Sequence, residues 1–252
     1  MGEVLFSIRG LKKIFPDGTE ALRSVDLEVM EGEFLIIAGA NGSGKTQLMR
    51  MLVGLSDPTD GAIYFRGKPL LDSELVVRKA VGLVFQDADA QIVGETVAED
   101  VAFGPGNLKL PPEEIAGRVK DALAAMGLEH KADAPARRLS GGEKRRLAVA
   151  GILAMGCEAL ILDEPFANLD WPGVVQVLTI LEALKESHKT VILLTHELEK
   201  VLALADRLVI IAKGAVLDQG SPEEVLARLS PESGVRDPRR NYADVRDCTW
   251  LD

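Results

Sequence analysis

The feature that most constrains this chain is a glycine-rich stretch at residues 39–46, which reads G-A-N-G-S-G-K-T. An apolar run at residues 34–38 predicts a buried strand before it, and residues 47–54 predict a helix after it. Glycines let a backbone pass close to phosphate groups, and the N–H groups of a helix start face an anion. The stretch fits the pattern G-x-x-x-x-G-K-[ST] in this strand-to-helix context, which predicts a phosphate-binding loop.

The phosphates of a nucleotide are therefore expected to lie against this loop. Lys45 would reach the β- and γ-phosphates, and the Thr46 hydroxyl would ligate Mg²⁺. The nucleotide-binding residues predicted here are Gly39, Ala40, Asn41, Gly42, Ser43, Gly44, Lys45 and Thr46.

Two acidic residues, Asp163 and Glu164, follow the apolar run at residues 159–162. Ligands of open α/β sheets bind at the carboxyl ends of the strands, so this run would deliver both carboxylates to the ligand edge. Asp163 is expected to hold Mg²⁺ through water, and Glu164 is expected to polarise an attacking water.

A third motif is Ser140-Gly141-Gly142-Glu143, which precedes a predicted helix. Ser140 and Glu143 have the spacing of a capping box. An ordinary capped helix does not explain the two glycines, because glycine weakens the first turn. They are explained if a phosphate must approach the backbone there.

Strand and helix patterns alternate along most of the chain, which predicts an α/β fold with a mainly parallel sheet covered on both faces. Alternating apolar residues at 4–9 and 21–29 predict an antiparallel β subdomain at the N-terminus. Residues 87–144 predict an inserted helical subdomain, and residues 197–205 predict a further helix. The polar tail from residue 230 is expected to be loosely ordered.

Composition restricts the possible partners. The net charge is −10, which argues against a nucleic-acid-binding protein, since such proteins usually carry a basic surface. No apolar run approaches the roughly 20 residues that span a bilayer, and the N-terminus does not resemble a signal peptide. Cys157 and Cys248 are expected to be free thiols in a reducing compartment. These observations predict a cytoplasmic protein.

Ser140–Glu143, with Leu139 before it, resembles the LSGGQ signature of ABC ATPases, although Glu143 stands where Gln is commoner. Other motifs agree in order: Gln86 resembles the Q-loop glutamine, Asp170 the D-loop aspartate and His196 the H-loop histidine. Phe15 lies where this family places an aromatic residue against adenine. The resemblance implies a P-loop NTPase fold of the RecA-like type, with an ATPase domain at residues 1–229 (core 1–86 and 145–229, helical subdomain 87–144) and a tail at 230–252.

The resemblance also implies a mechanism. Two copies, or one copy and a paralogue, would enclose ATP and Mg²⁺ between them. Ser140, Gly141, Gly142 and Glu143 of one subunit would face the γ-phosphate held by Lys45 of the other. Glu164, His196 and Gln86 would be catalytic, and Thr46, Gln86 and Asp163 would hold Mg²⁺.

Residues 85–107, which include F-Q-D-A-D-A-Q and V-A-E-D-V-A-F-G-P-G-N, are similar to the energy-coupling-factor group of ABC ATPases. The similarity implies an importer subunit for cobalt, nickel or a vitamin, held at the cytoplasmic face of the cell membrane by integral membrane subunits that residues 87–92 would contact. Two alternatives stay open: a non-transport ABC ATPase that acts on ribosomes or nucleic acid, and the ATPase of another transporter type.

Overall fold

The structure is a computed structural model and describes residues 2–239. The strands within this range are β1 (Val4–Ile14), β2 (Glu20–Met30), β3 (Phe34–Ala38), β4 (Asp60–Phe65), β5 (Lys68–Pro69), β6 (Val81–Val84), β7 (Ala159–Asp163), β8 (Thr190–Thr195), β9 (Arg207–Ala212) and β10 (Ala215–Gly220). The α-helices are α1 (Lys45–Leu52), α2 (Glu74–Ala80), α3 (Val97–Asn107), α4 (Pro112–Ala125), α5 (Gly141–Met155), α6 (Trp171–Glu186) and α7 (Pro222–Ala227).

The central sheet has the order β10-β9-β3-β8-β7-β6, in which β9, β3, β8, β7 and β6 are parallel and β10 is antiparallel to β9. Every residue of β3, β7 and β8 is buried. Apart from Asp163 and the terminal threonines of β8, their sequences are continuously apolar because a parallel sheet is covered on both faces. The predicted α/β fold with a mainly parallel sheet is confirmed.

A second sheet, of order β2-β1-β4-β5, is antiparallel. Alternate residues of β2 are buried, as expected for a sheet with one face on the core. Its buried face packs, together with α1, on one side of the central sheet. Helices α3, α4, α5 and α6 cover the other side, so the carboxyl ends of the central strands stay open between the two layers.

Three helices, α3, α4 and α5, separate β6 from β7. Pro112 occupies the first turn of α4, where its missing N–H costs nothing, and Val119 and Leu123 bury the inner face. Helix α5 continues unbroken from Gly141 to Met155, so it crosses the boundary that the sequence placed between residues 144 and 145. No helix within residues 2–239 combines the length and hydropathy that crossing a bilayer requires.

The predicted helix at residues 197–205 is wrong. The structure has two short 3-10 turns there, Leu198–Lys200 and Leu202–Leu204. Val201 separates them with φ −136° and ψ −8°, outside the helical region. Leu198 and Val201 are each about 1% exposed. The segment buries both apolar side chains as two short turns, because the β-branched Val201 at its centre disfavours a continuous helix.

The predicted loose tail is also wrong for residues 230–239. Ser233 is 1% exposed, and its hydroxyl donates to the Ser230 carbonyl at 2.7 Å. Gly234 lies so close to the phosphate-binding loop that a Cβ there would be 2.8 Å from Ala40 Cβ. Residues 240–252, including Cys248, lie outside the described residues. Cys157 is a buried free thiol, and burial raises its pKa to about 11.

Candidate active site

The phosphate-binding loop joins β3 to α1, and its shape requires glycine at two positions. A Cβ at Gly39 would lie 2.1 Å from the Ile211 carbonyl oxygen, and one at Gly44 would lie 2.6 Å from the Ala21 carbonyl oxygen. Both neighbours are backbone atoms and cannot move aside. The sequence predicted that helix α1 begins at residue 47, whereas the structure begins it at Lys45. The last two residues of the loop, Lys45 and Thr46, therefore belong to the first turn of the helix, where backbone N–H groups face an anion.

Lys45 holds its positive charge inside the loop. The residue is 6% exposed, and Nζ donates to the carbonyl oxygens of Gly39 at 2.7 Å and Ala40 at 3.2 Å. Burial lowers the pKa of the ammonium group, and the carboxylates of Glu164 and Asp163 oppose that shift. Lys45 is therefore positioned where a phosphate would offer it better acceptors than two loop carbonyls.

A cleft of about 370 Å³ lies over this loop, at the carboxyl ends of β3 and β7. Residues from three separate segments share it: Lys45 and Thr46 from the loop, Gln86 after β6, and Asp163 with Glu164 at β7. The sequence predicted that these residues meet, and the structure brings them together.

Thr46 and Asp163 form the part of the cleft that suits Mg²⁺. The Thr46 hydroxyl donates to Asp163 Oδ2 at 2.9 Å. Asp163 is 1% exposed, and burial raises the pKa of its carboxyl group, while the hydrogen bond from Thr46 lowers it. A hydroxyl, a carboxylate and the amide oxygen of nearby Gln86 are the hard oxygen donors that Mg²⁺ binds, usually together with substrate phosphates.

Glu164 is held by the residues that follow β8. Its Oε2 accepts from the Thr195 hydroxyl at 3.0 Å, and its Oε1 lies 2.8 Å from His196 Nδ1. The residue has a left-handed φ of 48° although it is not glycine, a conformation that is costly and concentrates at functional sites. An ionised carboxylate can only accept, so Nδ1 carries the hydrogen and Nε2 is left for another partner.

Arg145, which sequence reasoning missed, joins the signature helix α5 to this cleft. It is 3% exposed, and its guanidinium donates to the carbonyls of Phe85 at 3.0 Å, Gln86 at 2.6 Å and Asp163 at 3.5 Å. These carbonyls end β6 and β7. Arg145 stands in the charged run E-K-R-R at residues 143–146, so no signal in the sequence separated this arginine from its charged neighbours.

The signature residues do not line the cleft of their own chain. Ser140 caps α5: its hydroxyl accepts from the Glu143 N–H at 3.4 Å, and Glu143 Oε2 accepts from the Ser140 N–H at 2.9 Å. A Cβ at Gly141 would meet nothing within 4 Å, and one at Gly142 would make only ordinary contacts, the nearest at 3.5 Å to Leu169. Within residues 2–239, no steric reason therefore requires glycine at these two positions.

The remaining predicted residues lie at the edges of the site. Asp170 caps α6, accepting from the Gly173 N–H at 3.0 Å, and the adjacent Leu169 packs beside Gly142. Phe15 lies in the turn between β1 and β2, is 38% exposed, and has Lys13 Nζ 5.7 Å from its ring centroid. Phe15 is not among the residues that line the cleft, and its contact with adenine stays a prediction.

A single protein-family model matches the part of the chain that carries most of these motifs. The ABC transporter family model matches residues 22–167, a span that includes the phosphate-binding loop, Gln86, Ser140 and Asp163. The chain is 43% identical over 230 residues to the energy-coupling factor transporter ATP-binding protein EcfA of Methanocaldococcus jannaschii, which covers 89% of this chain and 82% of that protein.

Two solved structures have the same fold. One is CbiO1 from Clostridium perfringens, part of the ABC transporter complex cbiONQ, with a TM-score of 0.79 and 38% identity over 89% of this chain and 91% of that chain. The other is the ATP-binding cassette MJ0796, a dimer in a post-hydrolysis state with ADP and Pi. Its TM-score is 0.78 and its identity 29%, over 86% of this chain and 98% of that chain.

Proposed function

Because this chain belongs to the ABC transporter family and is an ATP-hydrolysing subunit of such a transporter, we propose that it drives an importer of the energy-coupling-factor type. The similarity to EcfA and CbiO1 supports this assignment. The imported solute, a metal ion such as cobalt or nickel or a vitamin, would be recognised by membrane subunits. The ATPase would act at the cytoplasmic face of the membrane, as a pair with a second copy or a paralogue.

One observation carries the proposal that two subunits form each ATP site. The cleft contains a lysine, a hydroxyl and two carboxylates, yet Ser140 and the two glycines after it lie outside it. Those glycines have no steric reason within their own chain. A helix start that is open at the backbone and faces outward is suited to an anion brought by another subunit. The site is therefore completed in trans.

The cleft residues divide the work of hydrolysis. Lys45 would hold the β- and γ-phosphates, and Glu164 would accept a hydrogen bond from the attacking water, since each of its oxygens keeps a second lone pair. Thr195 and His196 fix the direction of that carboxylate. Thr46, Asp163 and Gln86 would hold Mg²⁺, which would offset the negative charge of the phosphates when bound. The water oxygen bonds to the γ-phosphorus as the bond from that phosphorus to the β-phosphate oxygen breaks, and ADP, inorganic phosphate and one proton are released.

The role of Glu164 is tested by Glu164→Gln. The amide keeps the size of the side chain but is a much weaker acceptor for the water's hydrogen, so turnover of ATP should fall by about 100-fold or more. ATP affinity should stay within a few-fold of wild type, because Lys45 and the loop are unchanged. Undiminished turnover contradicts the assignment of Glu164.

The two-subunit site is tested by mixing two inactive variants. Lys45→Ala and Ser140→Arg each break every site of their own homodimer. A mixed dimer contains one site with an intact Lys45 from one subunit and an intact Ser140 from the other. We expect turnover to reappear on mixing, up to about a quarter of wild type. A site completed within one chain gives no recovery.

An apolar groove of about 220 Å³ supports a membrane partner. It lies between the segment after Gln86 and helices α3 and α5, and Val93 and Phe103 beside it are 58% and 54% exposed. The Gln91 side chain anchors that segment to β6, donating to the Leu83 carbonyl at 2.7 Å and accepting from the Phe85 N–H at 3.1 Å. A short cytoplasmic helix of a membrane subunit fits a groove of this kind.

This contact is tested by Phe103→Ser, with Leu217→Ser as a matched control, since Leu217 on β10 is also exposed, at 46%. A multi-spanning membrane protein should co-purify from detergent-solubilised membranes with the wild type and with Leu217→Ser, and should be lost from Phe103→Ser. Equal recovery with all three proteins contradicts the groove as the docking site. Co-sedimentation with ribosomes in place of a membrane protein favours the non-transport alternative.

A further inference from the structure

The signature helix carries an acidic residue at a place where an anion must approach. Glu143 lies in the first turn of α5, three residues after Ser140. Its Oε2 accepts from the Ser140 N–H at 2.9 Å and from the Ser140 hydroxyl at 3.0 Å. If this helix start receives the partner subunit's nucleotide, as in the function proposed above, the phosphate arrives next to a carboxylate.

That carboxylate opposes phosphate binding in two ways. A helix start carries roughly half a positive charge, and a full negative charge in the first turn cancels it. The carboxylate also takes the hydrogen of the Ser140 hydroxyl, which a phosphate oxygen would need as its own donor. A glutamine would carry no charge and could donate its N–H to the hydroxyl oxygen. The chain with Glu143 therefore needs a compensating cation.

Lys131 supplies the compensating charge. It belongs to the 3-10 turn Glu129–Lys131, between α4 and α5, and its Nζ forms an ion pair with Glu143 Oε1. The side chains of the pair are 34% and 18% exposed. The neighbouring Lys144 is paired with Asp89, and Arg145 points into the interior, so neither faces this carboxylate.

We propose that Lys131 is a positioning residue of the composite ATP site. By neutralising Glu143, it preserves the positive potential of the α5 start and weakens the carboxylate's hold on the Ser140 hydroxyl, so that the partner's γ-phosphate can bind there. The Lys131 ion pair, together with the hydrogen bonds from the Ser140 N–H and hydroxyl, lowers the pKa of Glu143 to about 2. Glu143 is thus ionised throughout the physiological range.

Helix capping alone does not explain the lysine. The capping box needs only Ser140 and Glu143, and both of its backbone bonds are present without any contribution from Lys131. An ion pair this accessible adds no more than about 1 kcal/mol to the free energy of unfolding. The lysine's main effect is therefore expected on what docks against α5.

The experiment is a double-mutant cycle in the Glu164→Gln background, which keeps ATP bound without turnover. The four proteins carry the native pair, Lys131→Met, Glu143→Gln, or both changes. The dimer dissociation constant at saturating MgATP is measured by analytical ultracentrifugation, and the affinity of the monomer for ATP is measured separately. Lys131→Met should weaken the dimer by about tenfold, because a charge near the phosphate is left uncompensated.

With Glu143→Gln also present, removing Lys131 should change the dimer constant less than twofold. The Lys131→Met effect should shrink at high salt, and monomer affinity for ATP should not change. Lys185→Met is the control. Lys185 is likewise 34% exposed and is paired with Asp206. Asp206 accepts from the N–H of Phe34, the first residue of β3, so this pair lies at the amino ends of the central strands, opposite the ATP cleft.

Three results would overturn the proposal. They are an equal loss in both backgrounds, no loss in either, and the same loss with Lys185→Met. A parent protein that does not dimerise with ATP at all is a different result, because it contradicts the proposed pairing of two copies of this chain and removes this inference with it.

Discussion

Glycines lie at the starts of both α1 and α5, but the two regions use glycine differently. At α1 the N-cap is Gly44, no side chain caps the helix, and the first helical residue is the cation Lys45. Gly39 and Gly44 are required by their own chain, because backbone carbonyls lie within 2.6 Å of where a Cβ would be. The loop is thus complete within one subunit.

At α5 the arrangement is reversed. The helix has a full capping box, an acid in its first turn and two glycines that meet no close neighbour. In the proposed function, the first helix start would hold a phosphate with groups already folded around it, and the second would offer an outward surface that acts only against a second subunit. The role of a glycine therefore depends on the atoms that surround it and not on the motif that contains it.

The largest expected effect on stability is that of Gly39→Ala. The added methyl would lie 2.1 Å from the Ile211 carbonyl oxygen, so the loop or β9 must shift, and the free energy of unfolding should fall by about 3 kcal/mol. ATP binding by the isolated subunit should be lost as well. Urea unfolding and nucleotide titration measure both, and a variant with unchanged stability would refute the steric account of the loop.

Arg145→Met removes the link between α5 and the ends of β6 and β7. It leaves the carbonyls of Phe85 and Gln86 without their buried donor, so unfolding should be easier by about 2–3 kcal/mol. Arg145→Lys should recover only part of this, since an ammonium group lacks the fork that reaches both carbonyls. Urea unfolding of the two variants measures both losses in free energy. If Arg145→Lys is as stable as wild type, Arg145 does not need to bind both carbonyls.

Glu143→Gln should reduce stability by about 1 kcal/mol at pH 7, through loss of the partly exposed pair with Lys131. The pKa of Glu143 is lowered from 4.5 to about 2 in the folded protein. A lowered pKa gives stability that is present above the unfolded value and lost as pH falls through the folded value. The difference in unfolding free energy between wild type and Glu143→Gln should therefore narrow as pH falls from 4.5 to about 2 in urea unfolding; a constant difference would contradict the ion pair.

The smallest expected change in stability is that of Gly141→Ala, the counterpart of Gly39→Ala. No atom lies within 4 Å of the added methyl, so the free energy of unfolding should stay within about 0.5 kcal/mol of wild type. ATP binding to the monomer should also be unchanged, whereas steady-state turnover should fall by about tenfold. If Gly141→Ala unfolds as readily as Gly39→Ala, the contrast between the two regions is lost.

Much of the fold was predictable, because burial on both faces leaves a strong sequence signal. The apolar runs at residues 34–38 and 159–162 became β3 and β7, and both were located within one residue of the observed ends. Residues 197–205 misled because their apolar spacing suits a helix as well as two short turns, and burial of Val201 decided between them. The polar composition of residues 230–239 likewise gave no sign that Ser233 would be buried.

The sequence by itself determined the chemistry of the phosphate-binding loop, the acid pair after β7 and the family to which the chain belongs. Those properties depend on residue types at fixed local spacing, which the chain carries in every conformation. Only the tertiary structure decided that Arg145 holds the ends of β6 and β7, and that Lys131 meets Glu143. These contacts join residues that are far apart along the chain or on separate elements, and only packing sets their distances.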